Sequence, residues 1–112
     1  IKPANVLLDG RGGFVLTDFG CSQGLMMRGN ASGVTMVGTP AYCAPEQAEL
    51  RPHDYDARTD LYSVGTTVWA SLLGRTPMYV ARELQMESPY PLPPVEKFRP
   101  DISKPLTKLL RK

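Results

Sequence analysis

A carboxylate and a carboxamide near the start of the chain are candidate ligands for a metal ion. Asp18 lies in the stretch TDFGCSQ, directly after a short apolar run, and Asn5 lies in the first five residues, IKPAN. Carboxylate and amide oxygens are hard ligands, which suit hard divalent cations. Aspartate and glycine are also common turn residues, so Asp18 alone does not distinguish a metal ligand from an ordinary loop aspartate.

The residues between these two side chains predict a β-hairpin that would bring them together. Two β-prone runs, VLL and FVLT, flank the stretch DGRGG, whose residues tolerate positive φ. A turn centred near the arginine of that stretch and the glycine after it places Val6 opposite Thr17 and Asn5 opposite Asp18. Opposed residues lie roughly 4.5 to 5.5 Å apart, which is close enough for two side chains to share one cation.

Composition and charge limit the class of protein. The 112 residues are 42% hydrophobic and 21% charged, with a net charge of +2, as expected of one globular domain or part of one. This basic excess is too small to indicate nucleic-acid binding. The longest apolar-rich stretch, residues 64–73, is about half as long as a membrane span, so no span is expected.

The cysteines predict the cellular location of the protein, and the two ends predict that the chain is part of a longer one. Cys21 and Cys43 lie in separate loop-like segments and are interpreted as reduced intracellular thiols, which predicts a cytoplasmic location; a disulfide between them is the alternative. The chain begins at Ile1 rather than at methionine, and residues 106–112 resemble a helix cut in its first turns. We therefore expect an internal piece of a longer protein.

Hydrophobic periodicity predicts a mainly α-helical chain with one short hairpin. The strongest helix covers residues 60–73, DLYSVGTTVWASLL, with Thr59 or Asp60 at its start and Gly74 at its end. It is apolar around most of its circumference, which favours a position in the middle of a fold. Further helices are expected near Pro45, over residues 80–86 and over residues 105–112. The stretches 21–42 and 88–100 are expected to be irregular.

Four stretches in order, IKPAN, TDFG, GTPAYCAPE and DLYSVG, together resemble the carboxy-terminal lobe of eukaryotic-type serine/threonine protein kinases. The resemblance implies that residues 1–112 are part of one protein kinase domain, a partial carboxy-terminal lobe of the α+β protein-kinase-like fold truncated at both ends. It also implies that the parent protein transfers the γ-phosphoryl group of ATP to serine or threonine hydroxyls of protein substrates.

The resemblance assigns roles to four residues. Asp18 and Asn5 would hold the Mg²⁺ ions that bridge the phosphates of ATP, and Lys2 would offset the charge of the transferred phosphoryl group. The hydroxyl of Thr39 would bond to the catalytic aspartate and the loop lysine in the segment that docks the substrate. The alternatives are a solvated surface lysine and a turn threonine before Pro40.

Two further residues, Glu46 and Asp60, match structural positions of the family. Glu46 would pair with an arginine expected beyond Lys112, so it would lack that partner here; its alternative is a helix-dipole contact. Asp60 would brace the backbone of the catalytic loop, a role compatible with an acid at a helix start. Trp69 is assigned to packing.

The irregular segment carries candidate regulatory positions. Thr35 lies where many kinases of this family are phosphorylated in the activation loop, and a phosphate there would order the loop by pairing with arginines. Ser32 and Ser22 are competing positions, and an unmodified loop is the alternative. Cys21 follows the metal motif and is interpreted as an inert small residue rather than a reactive thiol.

Several catalytic motifs of the kinase family are expected outside this sequence, which leaves alternative functions to be considered. The catalytic base would immediately precede Ile1, and the glycine-rich loop and strand lysine are absent, so the 112-residue chain alone is expected to be inactive, with an exposed apolar face on its central helix. A catalytically dead scaffold or nucleotide-binding interaction module is the alternative. A small-molecule kinase is disfavoured, because GTPAYCAPE resembles a peptide-docking segment.

Overall fold

The computed structural model describes residues 1–17, 39–49 and 51–111. Within these ranges the chain forms a two-stranded antiparallel sheet and four α-helices, as the predicted mainly helical class with a short hairpin requires. The elements are β1 (Val6–Leu8), β2 (Phe14–Leu16), α1 (Pro45–Ala48), α2 (Ala57–Leu73), α3 (Pro77–Glu83) and α4 (Lys104–Leu110), with 3₁₀ turns at Pro3–Asn5, Pro40–Tyr42, Pro52–Asp54 and Val95–Lys97. The predictions for Asp18, Cys21, Ser22, Ser32 and Thr35 fall outside the described residues.

The hairpin forms where the sequence predicts it, but its register differs from the prediction by one residue. Val6 pairs with Leu16, and the backbone N–H of Thr17 donates to the carbonyl of Asn5 at 2.8 Å. The predicted register, with Val6 opposite Thr17 and Asn5 opposite Asp18, is therefore wrong. The argument that direct opposition brings the two candidate metal ligands together does not hold in this register.

The side chain of Asp9 explains the observed register. Its Oδ1 accepts hydrogen bonds from the N–H groups of Arg11 at 2.7 Å and Gly13 at 2.9 Å, and the Asp9 N–H donates to the Gly13 carbonyl at 3.1 Å. The loop therefore closes symmetrically around Arg11, with Gly10 and Gly12 at positive φ. These N–H donors, that of Arg11 first, lower the pKa of the Asp9 carboxyl.

Helix α2 begins at Ala57 rather than at Asp60, because Asp56 caps it. An oxygen of the Asp56 carboxylate accepts from the Arg58 N–H at 2.7 Å, and the Thr59 hydroxyl accepts from the Asp56 N–H at 3.3 Å. This reciprocal arrangement is a capping box. The predicted end is confirmed, since Gly74 adopts the left-handed conformation, with φ 66°.

The buried face of α2 is rich in hydroxyl groups. Its buried residues are Thr59, Ser63, Thr66, Thr67, Trp69 and Ala70. In contrast, Leu61 is 67% exposed and Val64 is 42% exposed, in agreement with the exposed apolar face expected for this helix. The bulky core residue is Trp69, which packs with Ala70, Val80 and Val95. Trp69 is therefore a packing residue, as predicted.

Helices α3 and α4 start earlier than predicted, whereas α1 starts at Pro45 as predicted. Helix α3 covers Pro77–Glu83 instead of residues 80–86, because the Thr76 hydroxyl accepts from the Tyr79 N–H and a proline occupies the first turn. Helix α4 covers Lys104–Leu110 instead of residues 105–112. Between them, the proline-rich connection contains only the Val95–Lys97 turn. None of the described helices is long and apolar enough to cross a bilayer.

The contact between Trp69 and the proline-rich connection generates a stability prediction. The indole of Trp69, 1% exposed, donates to the Pro93 carbonyl at 2.9 Å. Trp69→Phe should lower the free energy of unfolding by about 1 to 3 kcal/mol, since the carbonyl loses its donor and the smaller ring leaves a cavity. Denaturant unfolding followed by circular dichroism measures this change.

Tyr79→Phe is the matched control for this prediction. The side chain of Tyr79 is 55% exposed, so removing its hydroxyl should change the free energy of unfolding by less than about 0.5 kcal/mol. Equal losses in the two variants would contradict the role given to the indole hydrogen bond.

Candidate functional site

Two candidate residues that lie far apart in the sequence meet in the structure. Nζ of Lys2 donates a hydrogen bond to Oγ1 of Thr39 at 3.3 Å, across 37 positions of the chain. Both residues are half-buried. This is the contact with a loop lysine that the resemblance implies for Thr39.

Lys2 and Thr39 occupy the same kind of position in the local backbone. Each residue precedes a 3₁₀ turn that begins with proline, in KPAN and TPAY, and each has extended backbone angles. Proline fixes its own φ for the turn and disfavours helical angles in the residue before it. Both side chains therefore project from defined positions at the starts of two short turns.

Hydrogen bonds hold the backbone of Asn5 at both its N–H and its carbonyl. Its N–H donates to the Lys2 carbonyl at 2.9 Å, and its carbonyl accepts from the N–H of Thr17 at 2.8 Å and from the Thr17 hydroxyl at 3.3 Å. Asn5 is thus the last residue of the turn that follows Lys2, and it directly precedes β1. Asp18, the other candidate metal ligand, follows Thr17 in the sequence and lies outside the described residues.

Helix α2 supports the segment that follows Thr39. Residues 39–46 are called the Thr39 segment below. The single proton of the Ser63 hydroxyl is shared between the Tyr42 carbonyl at 3.0 Å and the Thr59 carbonyl at 3.2 Å within the helix. Because the Ser63 hydroxyl lies on the buried face of α2, the helix holds the Thr39 segment through a directional hydrogen bond.

Glu46 has a hydrogen-bond partner that sequence reasoning missed. The hydroxyl of Thr59 donates to Oε1 of Glu46 at 2.6 Å and accepts from the Asp56 N–H at 3.3 Å. Glu46 also lies in the first turn of α1, where a carboxylate interacts favourably with the helix dipole. The capping-box pattern Asp56–Thr59 signals the start of α2, but no local sequence pattern signals the contact of Thr59 with Glu46.

Cys43 is a buried free thiol in the Thr39 segment. Its side chain is directed back along the segment, with Sγ donating to the Thr39 carbonyl at 3.6 Å. Burial raises the pKa of the Cys43 thiol, so the group stays protonated and is a poor nucleophile. Its role at this site is packing and a weak hydrogen bond.

Asp60 is placed in the first turn of α2 and is exposed. No hydrogen bond to its side chain from another described residue is seen, so its position fits the helix-start alternative. The bracing of the catalytic-loop backbone by Asp60 remains a prediction.

A cavity of about 230 Å³ lies beside the two proline-led turns. Its described lining residues are Pro3, Tyr42, Ala70, Ser71, Gly74, Arg75 and Thr76. Among these, Arg75 is the charged residue, and its guanidinium bonds to Glu83 at 2.7 Å and lies 5.7 Å from the ring centroid of Phe98. The charge of Arg75 is therefore already compensated at the edge of the cavity.

The described residues contain one of the two predicted metal ligands. No group of three or more His, Cys, Asp or Glu side chains in the described ranges is arranged to hold a metal ion. The neutral amide oxygen of Asn5 is a hard donor that suits Mg²⁺ as one member of a larger ligand set. A complete site would therefore need further ligands besides Asn5, and Asp18 is the candidate.

Comparison with known proteins identifies the same resemblance over the full chain. Residues 1–112 match the family model described as protein kinase domain. Relatives with sequence similarity are named serine/threonine-protein kinase Sgk1. The rat protein is 39% identical over 87 residues, which is 77% of this chain and 19% of the relative. The zebrafish protein is 35% identical over 111 residues, which is 98% of this chain and 24% of the relative.

The chain spans between a fifth and a quarter of the length of these relatives, with 19% and 25% covered in the rat and Fundulus heteroclitus proteins. No solved structure matches the chain. The similarity therefore concerns one portion of longer proteins.

The Thr59–Glu46 hydrogen bond generates a coupling prediction. Thr59→Val should lower the free energy of unfolding by about 1 to 3 kcal/mol, because it leaves Glu46 and the Asp56 N–H without a shared partner. In combination with Glu46→Gln, the two losses should be non-additive by at least about 0.5 kcal/mol. Denaturant unfolding of the two single variants and the double variant measures this coupling.

Thr107→Val provides the matched control, since the Thr107 hydroxyl donates to the Ser103 carbonyl at the exposed start of α4. We expect this variant to combine additively with Glu46→Gln. Additive losses for Thr59→Val and Glu46→Gln would show that the 2.6 Å contact does not contribute to stability.

Proposed function

The chain belongs to the protein kinase domain family, and on that premise we propose that the protein carrying it is a serine/threonine kinase. It would transfer the γ-phosphoryl group of ATP to serine or threonine hydroxyls of protein substrates. The observation that carries this proposal is the hydrogen bond between Lys2 and Thr39, 3.3 Å long. We further propose that residues 1–112 form part of the carboxy-terminal lobe of a kinase domain in an intracellular protein.

The position of Lys2 suits a role in phosphoryl transfer. Such a reaction leaves little covalent chemistry to the protein, so catalysis depends on positioning the reactants and neutralising charge. The Lys2 ammonium uses one N–H on Thr39 and keeps further donors for the oxygens of a phosphoryl group. Because Thr39 fixes the direction of this flexible side chain, Lys2 can offset phosphoryl charge without first being ordered.

Thr39 has complementary hydrogen-bonding capacity. Its hydroxyl oxygen accepts from Lys2, which leaves its own proton for donation to a carboxylate. In the kinase family this carboxylate would be the catalytic aspartate, which the resemblance places before Ile1. Thr39 would thereby link the lysine, the catalytic base and the segment that docks the protein substrate.

Asn5 and Asp18 would hold Mg²⁺. Bound there, Mg²⁺ would supply positive charge that neutralises part of the charge of the ATP phosphates. On the protein side, the hydrogen bonds to Lys2 and Thr17 hold the backbone of Asn5, which limits the positions open to its amide oxygen. Similarity to the kinase family supports the assignment of Asp18.

The test of the proposed function is removal of the Asp18 carboxylate in the complete protein. Asp18→Ala should lower Mg²⁺-dependent transfer of labelled phosphate from ATP to serine- or threonine-containing peptides by about 100-fold or more, because the variant loses a charged metal ligand. Circular dichroism should show the same fold as in the wild-type protein.

Asp54→Ala serves as the control with the same substitution. Asp54 is exposed and pairs only with Arg51 among the described residues, so this variant should keep phosphotransfer within about twofold of the wild type. Full activity in Asp18→Ala would refute the metal assignment. A wild-type protein that binds ATP without transferring phosphate would instead favour the scaffold alternative.

A further inference from the structure

Tyr90 lies in the proline-rich connection, outside every motif that carries the resemblance, yet it contacts the Thr39 segment. Its hydroxyl donates to the Cys43 carbonyl at 3.0 Å, across 47 positions of the chain. Its ring packs edge-to-face against Tyr62 of α2, with centroids 5.8 Å apart and an interplanar angle of 61°. Tyr90 therefore connects α2, the proline-rich connection and the Thr39 segment.

The Cys43 carbonyl lies at the end of the turn that begins at Thr39. The Cys43 N–H donates to the Pro40 carbonyl at 3.2 Å, and its Sγ donates to the Thr39 carbonyl at 3.6 Å. A group that holds the Cys43 carbonyl consequently restrains this whole turn. Ser63 restrains the same turn from α2, through the Tyr42 carbonyl at 3.0 Å.

Tyr90 is suited to this role by its chemistry and its neighbours. Burial raises the pKa of the Tyr90 hydroxyl, so the group stays a hydrogen-bond donor at neutral pH. Pro89 and Pro91 flank it in the sequence, and both restrict the backbone. Because the backbone on both sides of Tyr90 is already restricted, placing its hydroxyl against the Cys43 carbonyl loses little conformational entropy.

We propose that Tyr90 is a positioning residue for the protein substrate: through the Cys43 carbonyl, it holds the Pro40–Tyr42 turn and with it Thr39 in the arrangement that docks the substrate. This inference rests on the proposed kinase function. It gives the hydroxyl of Tyr90 a role in binding the protein substrate, whereas Lys2 and Asn5 act on ATP and its metal.

The experiment compares Tyr90→Phe with Tyr79→Phe in the complete protein, using steady-state kinetics with a phosphorylatable peptide. Tyr90→Phe keeps the ring packed against Tyr62 and removes only the donor to Cys43. It should raise the KM for the peptide about fivefold, with the KM for ATP changed by less than about twofold. Tyr79→Phe removes an exposed hydroxyl and should leave both KM values unchanged.

Ser63→Ala provides a second route to the same turn. It removes the hydrogen bond to the Tyr42 carbonyl and should also raise the peptide KM selectively, which keeps the positioning claim testable if Tyr90→Phe fails to fold. Thermal unfolding is measured for each variant. A lowered Tm with an unaltered peptide KM would reveal a merely structural role and would overturn the inference.

The two proposals fail in different ways. A wild-type protein without phosphotransfer would overturn the proposed function and the role of Tyr90 with it. An active wild type combined with equal losses in the peptide and ATP KM values of Tyr90→Phe would overturn the role of Tyr90 alone.

Discussion

The hydrogen bond from Lys2 to Thr39 is the contact on which the candidate site depends. It joins two segments that lie 37 positions apart, and each of the two residues precedes a turn that begins with proline. A lysine side chain has many rotamers, so ordering it has an entropic cost. The half-buried threonine oxygen supplies a fixed acceptor, which converts a flexible cation into a positioned one.

Helix α2 acts as the support for this contact. A purely apolar face would pack against the Thr39 segment without fixing its direction, whereas hydroxyls bond to particular atoms. Ser63 bonds to the Tyr42 carbonyl and Thr59 to the Glu46 carboxylate. The buried hydroxyl-rich face of α2 therefore determines where the segment lies, and Trp69 supplies the bulk of the packing.

Much of the fold follows from local sequence chemistry. The two β-prone runs, the position of Gly74 and the helix near Pro45 all depend on residues close in sequence, and the structure agrees with them. The predicted hairpin register was wrong by one residue. The Asp9 carboxylate accepts hydrogen bonds from two backbone N–H groups and so fixes a loop centred on Arg11. The start of α2 also differs from the prediction, because the Asp56 side chain caps the helix directly before Ala57.

The candidate site was only partly predictable. The kinase resemblance implied a contact between Thr39 and a loop lysine, and the structure contains one at Lys2. The partner of Glu46 and the contact between Tyr90 and Cys43 were missed, because each joins side chains or carbonyls from distant segments without a local pattern. The burial of threonine and serine side chains on α2 was also missed, since apolar periodicity gives no signal for a hydroxyl-rich buried face.

A double-mutant cycle on phosphotransfer tests the central claim most directly. In the complete protein, kcat/KM for a peptide substrate is measured for Lys2→Ala, Thr39→Val and the variant that carries both changes. If Thr39 acts in part by positioning Lys2, the loss in the double variant should be smaller than the product of the two single losses by at least about threefold. Losses that multiply, with the double variant falling by the product of the two single effects, would show that the residues act independently and would contradict this account.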